Sequence, residues 1–156
     1  MPRHCLIIVL LAAAAATGCH KTAVQAPWQQ TMLDTVNAWR TRGCLCGADT
    51  MPPVAPLVWN DTLAKAAQAH ATDMLVNNYF AHIAPDGSSP IQRAMQAGFG
   101  GDYVGENIAM GYNSLQAVMT AWKNSPDHCQ NLMDSTWTSM GAAGAGTYWD
   151  QEFGGY

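Results

Sequence analysis

The chain has 156 residues, 49% of them hydrophobic and 12% charged, enough apolar material for one packed core and the wrong composition for a disordered segment. The net charge is −4. No cluster of basic residues follows the first few positions, so the electrostatic footprint of a nucleic-acid partner is missing.

At the N-terminus, Met1-Pro2-Arg3-His4 precedes an unbroken apolar run from Cys5 to Ala16. That run is too short to span a bilayer and has the length of the hydrophobic region of an export signal. It closes on Ala16-Thr17-Gly18-Cys19, which resembles the lipobox of bacterial lipoproteins with Ala16 in place of the usual leucine. The resemblance implies cleavage before Cys19 and acylation of its thiol; plain cleavage and secretion is the alternative. The expected division is a signal peptide over 1–18, a lipidated tether over 19–27 and one globular domain over 28–156. An acyl anchor would make a membrane surface the partner and the bacterial cell envelope the location.

Export places the cysteines where disulfides persist. Cys5 leaves with the signal peptide and the lipobox occupies Cys19, which leaves Cys44, Cys46 and Cys129. One bridge is expected from the Cys44-Leu45-Cys46 turn to Cys129, through Cys46 or through Cys44, with one thiol over. Three cysteines are too few for a tetrahedral zinc site of their own.

In chain order, Met32, Val36 and Trp39 recur at helical spacing and Gly43 stops the first helix, over 28–42. Residues 50–57, with Pro52, Pro53 and Pro56, cannot be helical and form an ordered connection. Asn60 or Asp61 caps a second helix to Asn77, with Leu63, Ala67, His70 and Met74 on one face. His70 on that face is a core histidine or a site residue. Ser89-Pro90 starts a short third helix that ends at Gly98. A strand over 103–110 follows, then a helix capped by Ser114 with Leu115, Val118, Met119 and Trp122 facing inward, then a fifth helix begun by Ser125-Pro126. Residues 137–145 and 148–153 read as two strands, the second alternating Trp149, Gln151 and Phe153 with Tyr148, Asp150 and Glu152, as in a half-exposed sheet.

Chemistry concentrates in Gly105-Glu106-Asn107-Ile108-Ala109, an apolar strand that buries one carboxylate. A buried carboxylate requires a cation or strong hydrogen-bond donors. His82, from the loop over 80–87, and His128, in the first turn of the fifth helix, are the expected partners. A helix N-terminus disfavours an imidazolium, so His128 should tend towards the neutral form.

These stretches, with Pro56-Leu57-Val58-Trp59-Asn60, His70-Ala71-Thr72-Asp73-Met74, Pro85-Asp86-Gly87, Ala121-Trp122 before Ser125-Pro126-Asp127-His128, and Tyr148-Trp149-Asp150-Gln151, together resemble the CAP superfamily (SCP domain; cysteine-rich secretory, antigen 5 and pathogenesis-related proteins) in its short bacterial form. The resemblance covers about Thr31 to Gly154. It implies an α+β fold, a three-layer α-β-α sandwich with a small antiparallel sheet between helices. It also implies a cleft in which His82, Glu106 and His128 could hold zinc or another divalent metal. The second acidic residue of larger members is missing, since Lys123, Asn124 and Ser125 follow Trp122, and Asp127 is the nearest substitute. Ile83 and Ala84 stand where bacterial relatives often carry hydroxyls, so no nucleophile is assigned. The leading expectation is a non-enzymatic binding module at the cell envelope, taking a hydrophobic small molecule, a glycan or a peptide. The alternative is a metal-dependent peptidase or esterase with Glu106 and His128 as catalytic candidates.

Overall fold

A computed structural model describes Met1 and residues 27–156; the expected signal peptide, Cys19 and the tether as far as residue 26 lie outside the described residues. Helix α1 (Pro27–Arg42) begins inside the expected tether and buries Met32, Leu33 and Val36. The connection expected next is partly a hairpin, β1 (Cys44–Cys46) paired antiparallel with β2 (Asp49–Met51). Gly47, at φ 62°, supplies the left-handed turn residue between them. The prolines exclude regular pairing only from Pro52 onwards.

Strand β3 (Val58–Trp59) leads into α2 (Asp61–Asn77). Asn60 caps that helix, its Oδ1 accepting from the backbone N–H groups of Thr62 and Leu63 at 2.9 and 3.1 Å. Then come α3 (Pro90–Ala97), β4 (Tyr103–Met110), α4 (Leu115–Asn124), α5 (Pro126–Met133), β5 (Ser139–Ala145) and β6 (Tyr148–Gly155). The four-stranded sheet has the order β3-β5-β6-β4. The β5–β6 and β6–β4 pairs are antiparallel, whereas β3 joins parallel to β5, an exception to the antiparallel sheet expected.

The architecture is the α-β-α sandwich expected. On one face, α1, α4 and α5 bring Met32, Val36, Val118, Trp122 and Leu132 against Met140, Ala142 and Phe153. On the other, Met74 of α2 packs on Ile108 and Tyr148, and Ala94 of α3 packs with Leu63, Ala66 and Phe99. Gly141 makes this second packing possible, because a Cβ there would stand 2.1 Å from the Ala64 backbone nitrogen. The half-exposed pattern expected for residues 148–153 is corrected. Strand β6 is flanked by strands on both sides and covered by helices on both faces, so Asp150 and Glu152 are fully buried.

Two ties fasten α5 to the rest of this frame. Cys46 is bonded to Cys129 across a sequence separation of 83, which joins the hairpin to α5 and leaves Cys44 as a thiol. Arg40, fully buried, donates to the carbonyls of Ala55, Leu132, Asp134 and Trp137 at 2.8–3.2 Å. Arg40→Ala would leave those carbonyls without their donor and is expected to cost about 3 kcal/mol or more in denaturant unfolding. Cys129→Ser is expected to lower the stability of the oxidised protein by roughly 2–4 kcal/mol, read from the same unfolding curves.

Candidate functional site

The site is built by the pleat of one edge strand. Successive residues of β4 point to opposite faces of the sheet, so Glu106 faces α2 and α3 while its neighbours Gly105 and Asn107 face α5. Gly105 is required there, since a Cβ would lie 2.5 Å from the Trp137 ring and 2.8 Å from Asn131 Oδ1. Asn107 donates through Nδ2 to the His128 carbonyl at 3.2 Å and accepts from Asn131 Nδ2 at 3.0 Å. The outward carbonyls of β4 are also used: Glu106 O accepts from Asn131 Nδ2 and Ile108 O from Trp122 Nε1, both at 3.2 Å.

On the other face the Glu106 side chain is 1% exposed. Its Oε1 accepts from His82 Nδ1 at 2.6 Å, and its Oε2 is paired with Arg93 Nη2. Because a carboxylate only accepts, His82 Nδ1 carries the proton, and in the neutral ring the lone pair lies on Nε2. Arg93 Nη1 donates to the carbonyls of His82 and Ser88 at 3.0 and 2.9 Å. A single guanidinium thus fixes both the carboxylate and the loop that carries the histidine. His70, buried on α2, lies 3.8 Å from Glu106 Oε2 and hydrogen-bonds through Nε2 to the Ala81 carbonyl at 3.0 Å. Burial holds its pKa below the usual value, against the pull of Glu106.

His128 approaches from the opposite layer. Ser125 does not cap α5 with its side chain; its Oγ instead bonds His128 Nδ1 at 2.8 Å. Burial lowers the His128 pKa, the nearby His82 lowers it further, and Asp127 opposes both. His82 and His128 share a cleft of about 470 Å³ whose other walls include Phe80, Ile108, Met110, Tyr112 and Trp122. Glu106 stands behind His82 and does not line it.

Of the three residues expected to meet, His82 and Glu106 are in direct contact. His128 reaches the same cleft from across the strand, and its imidazole bonds Ser125. The ligating atoms of His70, Glu106 and Asp150 do lie within 4.8 Å of one another. The cation in that cluster is Arg93, and the His70 nitrogen nearest Glu106 is bonded to a carbonyl and so carries a proton. That cluster therefore offers no lone pair of His70 Nε2 to a metal.

Arg93 was not anticipated. It is the one cation in an eight-residue helix between the His82 loop and β4, and the need of Glu106 for positive charge was the signal that could have found it. Asp150 and Glu152 were also missed. Glu152 faces Glu106 directly across the β4–β6 pair, and Asp150 faces Ile108. Neither finds a donor for its carboxyl oxygens; the side-chain hydrogen bond each makes is to Glu106, and because that carboxylate only accepts, each makes it as a protonated donor. Burial first, then the charge of Glu106, pushes both carboxyls well above the ordinary range, with Arg93 opposing. They stay protonated at pH values where exposed carboxyls ionise.

In the unfolded chain both ionise in the ordinary carboxylate range. Their contribution is therefore fully present below that range and is lost as pH rises towards the folded values. Combining Asp150→Asn with Glu152→Gln removes the ionisation, and melting temperatures measured across pH should decline less steeply in that variant than in the wild type.

The family model described as "CAP: Cysteine-rich secretory protein family" matches residues 33–152. The uncharacterized protein YkwD of Bacillus subtilis is 36% identical over 100 residues, 63% of this chain and 39% of that protein. The uncharacterized membrane protein YlbC of the same organism is 30% identical over 130 residues, 83% and 35% of the two chains. The chain spans less than two fifths of the length of either relative. Among solved structures, an extracellular protein containing an SCP domain from Bacillus anthracis superposes with a TM-score of 0.73 at 28% identity, over 83% of this chain and 40% of that one. An outer surface protein from Borrelia burgdorferi gives a TM-score of 0.69 at 23% identity, over 81% and 90%, a likeness of fold alone.

Proposed function

Because the chain belongs to the CAP, or cysteine-rich secretory protein, family, we propose that it works outside the cytoplasm as an envelope-associated binding module whose cleft takes an apolar ligand bearing a group that imidazoles can bind. The export-signal pattern at the N-terminus supports the location, as does the similarity to an extracellular SCP-domain protein of Bacillus anthracis. Acylation of Cys19 would supply the membrane anchor. The observation that carries the reading is the shared cleft. Two histidines, presented from opposite faces of the sheet, sit among apolar walls in a hollow of about 470 Å³, within the range of small-molecule sites. A peptide that added to β4 as a further strand would find the carbonyls of Glu106 and Ile108 already occupied by Asn131 and Trp122. The ligand is therefore held by its apolar body and one polar group.

A second reading, divalent-metal-dependent hydrolysis, is favoured by one feature of the same histidines. Each has its Nδ1 engaged, by Glu106 or by Ser125, which leaves both Nε2 atoms as the donors that would hold zinc. Two neutral imidazoles suit that ion, and Glu106 takes the supporting role of orienting His82. Bound zinc would supply a Lewis acid for polarising a carbonyl or activating water. Glu106 is committed to Arg93 and His82, so it is not a free base for such chemistry.

Zinc titration of the wild type and of the His82→Ala, His128→Ala double variant separates the readings, together with intrinsic tryptophan fluorescence on adding alkyl-chain ligands. Ligand binding that survives chelation and weakens in the double variant is the expected result. Turnover of ester or peptide substrates abolished by chelation would establish the second reading in its place. Glu106→Gln is expected to weaken zinc binding by about 10–100-fold, if zinc binds, without abolishing it.

A further inference from the structure

The hairpin brings three sulfurs together. Residues two apart in a strand face the same way, so Cys44 and Cys46 of β1 both reach α5 at Cys129. With Cys46 bonded to Cys129, the Cys44 sulfur lies 4.0 Å from Cys46 Sγ and 3.9 Å from Cys129 Sγ. Both bonded cysteines are fully buried, whereas Cys44 is half-buried. The spare thiol thus sits against the bond that it could replace.

We propose that Cys44, Cys46 and Cys129 form an exchange site in which the disulfide passes between Cys46–Cys129 and Cys44–Cys129. The Cys44 thiol loses its proton to solvent and the thiolate attacks Cys129 Sγ. As the Cys44–Cys129 bond forms, the Cys46–Cys129 bond breaks, and Cys46 departs as a thiolate that takes up a proton. One disulfide and one thiol are present before and after, so no oxidant or reductant is consumed. Attack on Cys46 would instead link two residues of one extended strand, about 6.6 Å apart and at the upper limit of disulfide reach. Cys129 lies on the facing helix and carries no such constraint.

The exchange changes what the surface presents. With Cys46–Cys129 bonded, the thiol is at the half-buried position 44; with Cys44–Cys129 bonded, it is at the buried position 46. The site therefore exposes or withdraws a thiol that a thiol- or disulfide-bearing compound could reach. It does not depend on the ligand of the histidine cleft.

The test uses the full oxidised chain. Samples incubated at mildly alkaline pH are quenched in acid, unfolded, alkylated with N-ethylmaleimide in mildly acidic solution and mapped by mass spectrometry without reduction. Maleimide on Cys46, together with a Cys44–Cys129 cross-linked peptide, should appear and grow with incubation time, and the Cys46 label should stay at background in Cys44→Ser. In Cys46→Ser the remaining pair should close as Cys44–Cys129. Among these three cysteines, label confined to Cys44 at every time in the wild type would overturn the proposal, whether or not the Cys46→Ser chain folds. So would a folded Cys46→Ser chain with Cys44 and Cys129 both alkylated.

Discussion

The carboxylate of Glu106, taken out of water, has to be met by positive charge and by donors on both of its oxygens, and this requirement fixes the neighbourhood around it. Arg93 supplies the charge and spends its other Nη on the backbone of the His82 loop. His82 supplies the second donor and is held by the same contact. Satisfying the carboxylate and positioning the histidine are one event. The pleat of β4 carries the constraint to the other layer, because Asn107 turns the opposite way and binds the backbone at His128. Two adjacent residues on an edge strand thereby hold two histidines that come from helices and loops in different layers.

The negative charge in this region exceeds what Arg93 can balance. Glu106, Asp150 and Glu152 all lie beneath α2, and the structure accommodates them by leaving Asp150 and Glu152 protonated. A neutral carboxyl is cheaper to bury than a carboxylate, but it has no ion pair to define its place. The cluster also lies between two hollows. The histidine cleft is on one side; on the other, a larger hollow of about 760 Å³ between α2 and α3 is lined in part by His70 and Arg93. The groups that hold Glu106 thus form the wall between them.

Much of this was legible in the sequence where the signal was local. The helices followed from apolar spacing at Met32, Val36, Leu63, Met74, Val118 and Trp122 and from caps at Asn60 and Ser114. The pairing of Glu106 with His82 followed from the cost of burying a carboxylate. What escaped depended on neighbours that sequence spacing does not reveal. Alternation at Tyr148, Asp150 and Glu152 is the pattern of a strand with one wet face, and only the position of β6 between β5 and β4, under α2, makes that face dry. The two residues of β3 are too few to carry a period. Ser125 resembles a helix cap, yet its hydroxyl serves His128. His128 was expected beside Glu106, but consecutive strand positions send their contacts to opposite sides, so His128 is held by Asn107 on the far face of β4 and bonds Ser125 rather than Glu106.

The dependence of the site on Arg93 ties its lifetime to a small element. Helix α3 has eight residues, a length at which a helix has little stability of its own and persists through its packing. The sheet beneath it is held by many more residues. An excursion in which α3 lifts from α2 and β4 would leave the strands paired while removing the guanidinium from Glu106 and from the His82 loop together. Water would then reach the carboxylate, and His82 would lose its fixed orientation at the same moment. The frequency with which the cleft is correctly assembled is therefore set by the local opening of one short helix and can differ from the frequency of global unfolding.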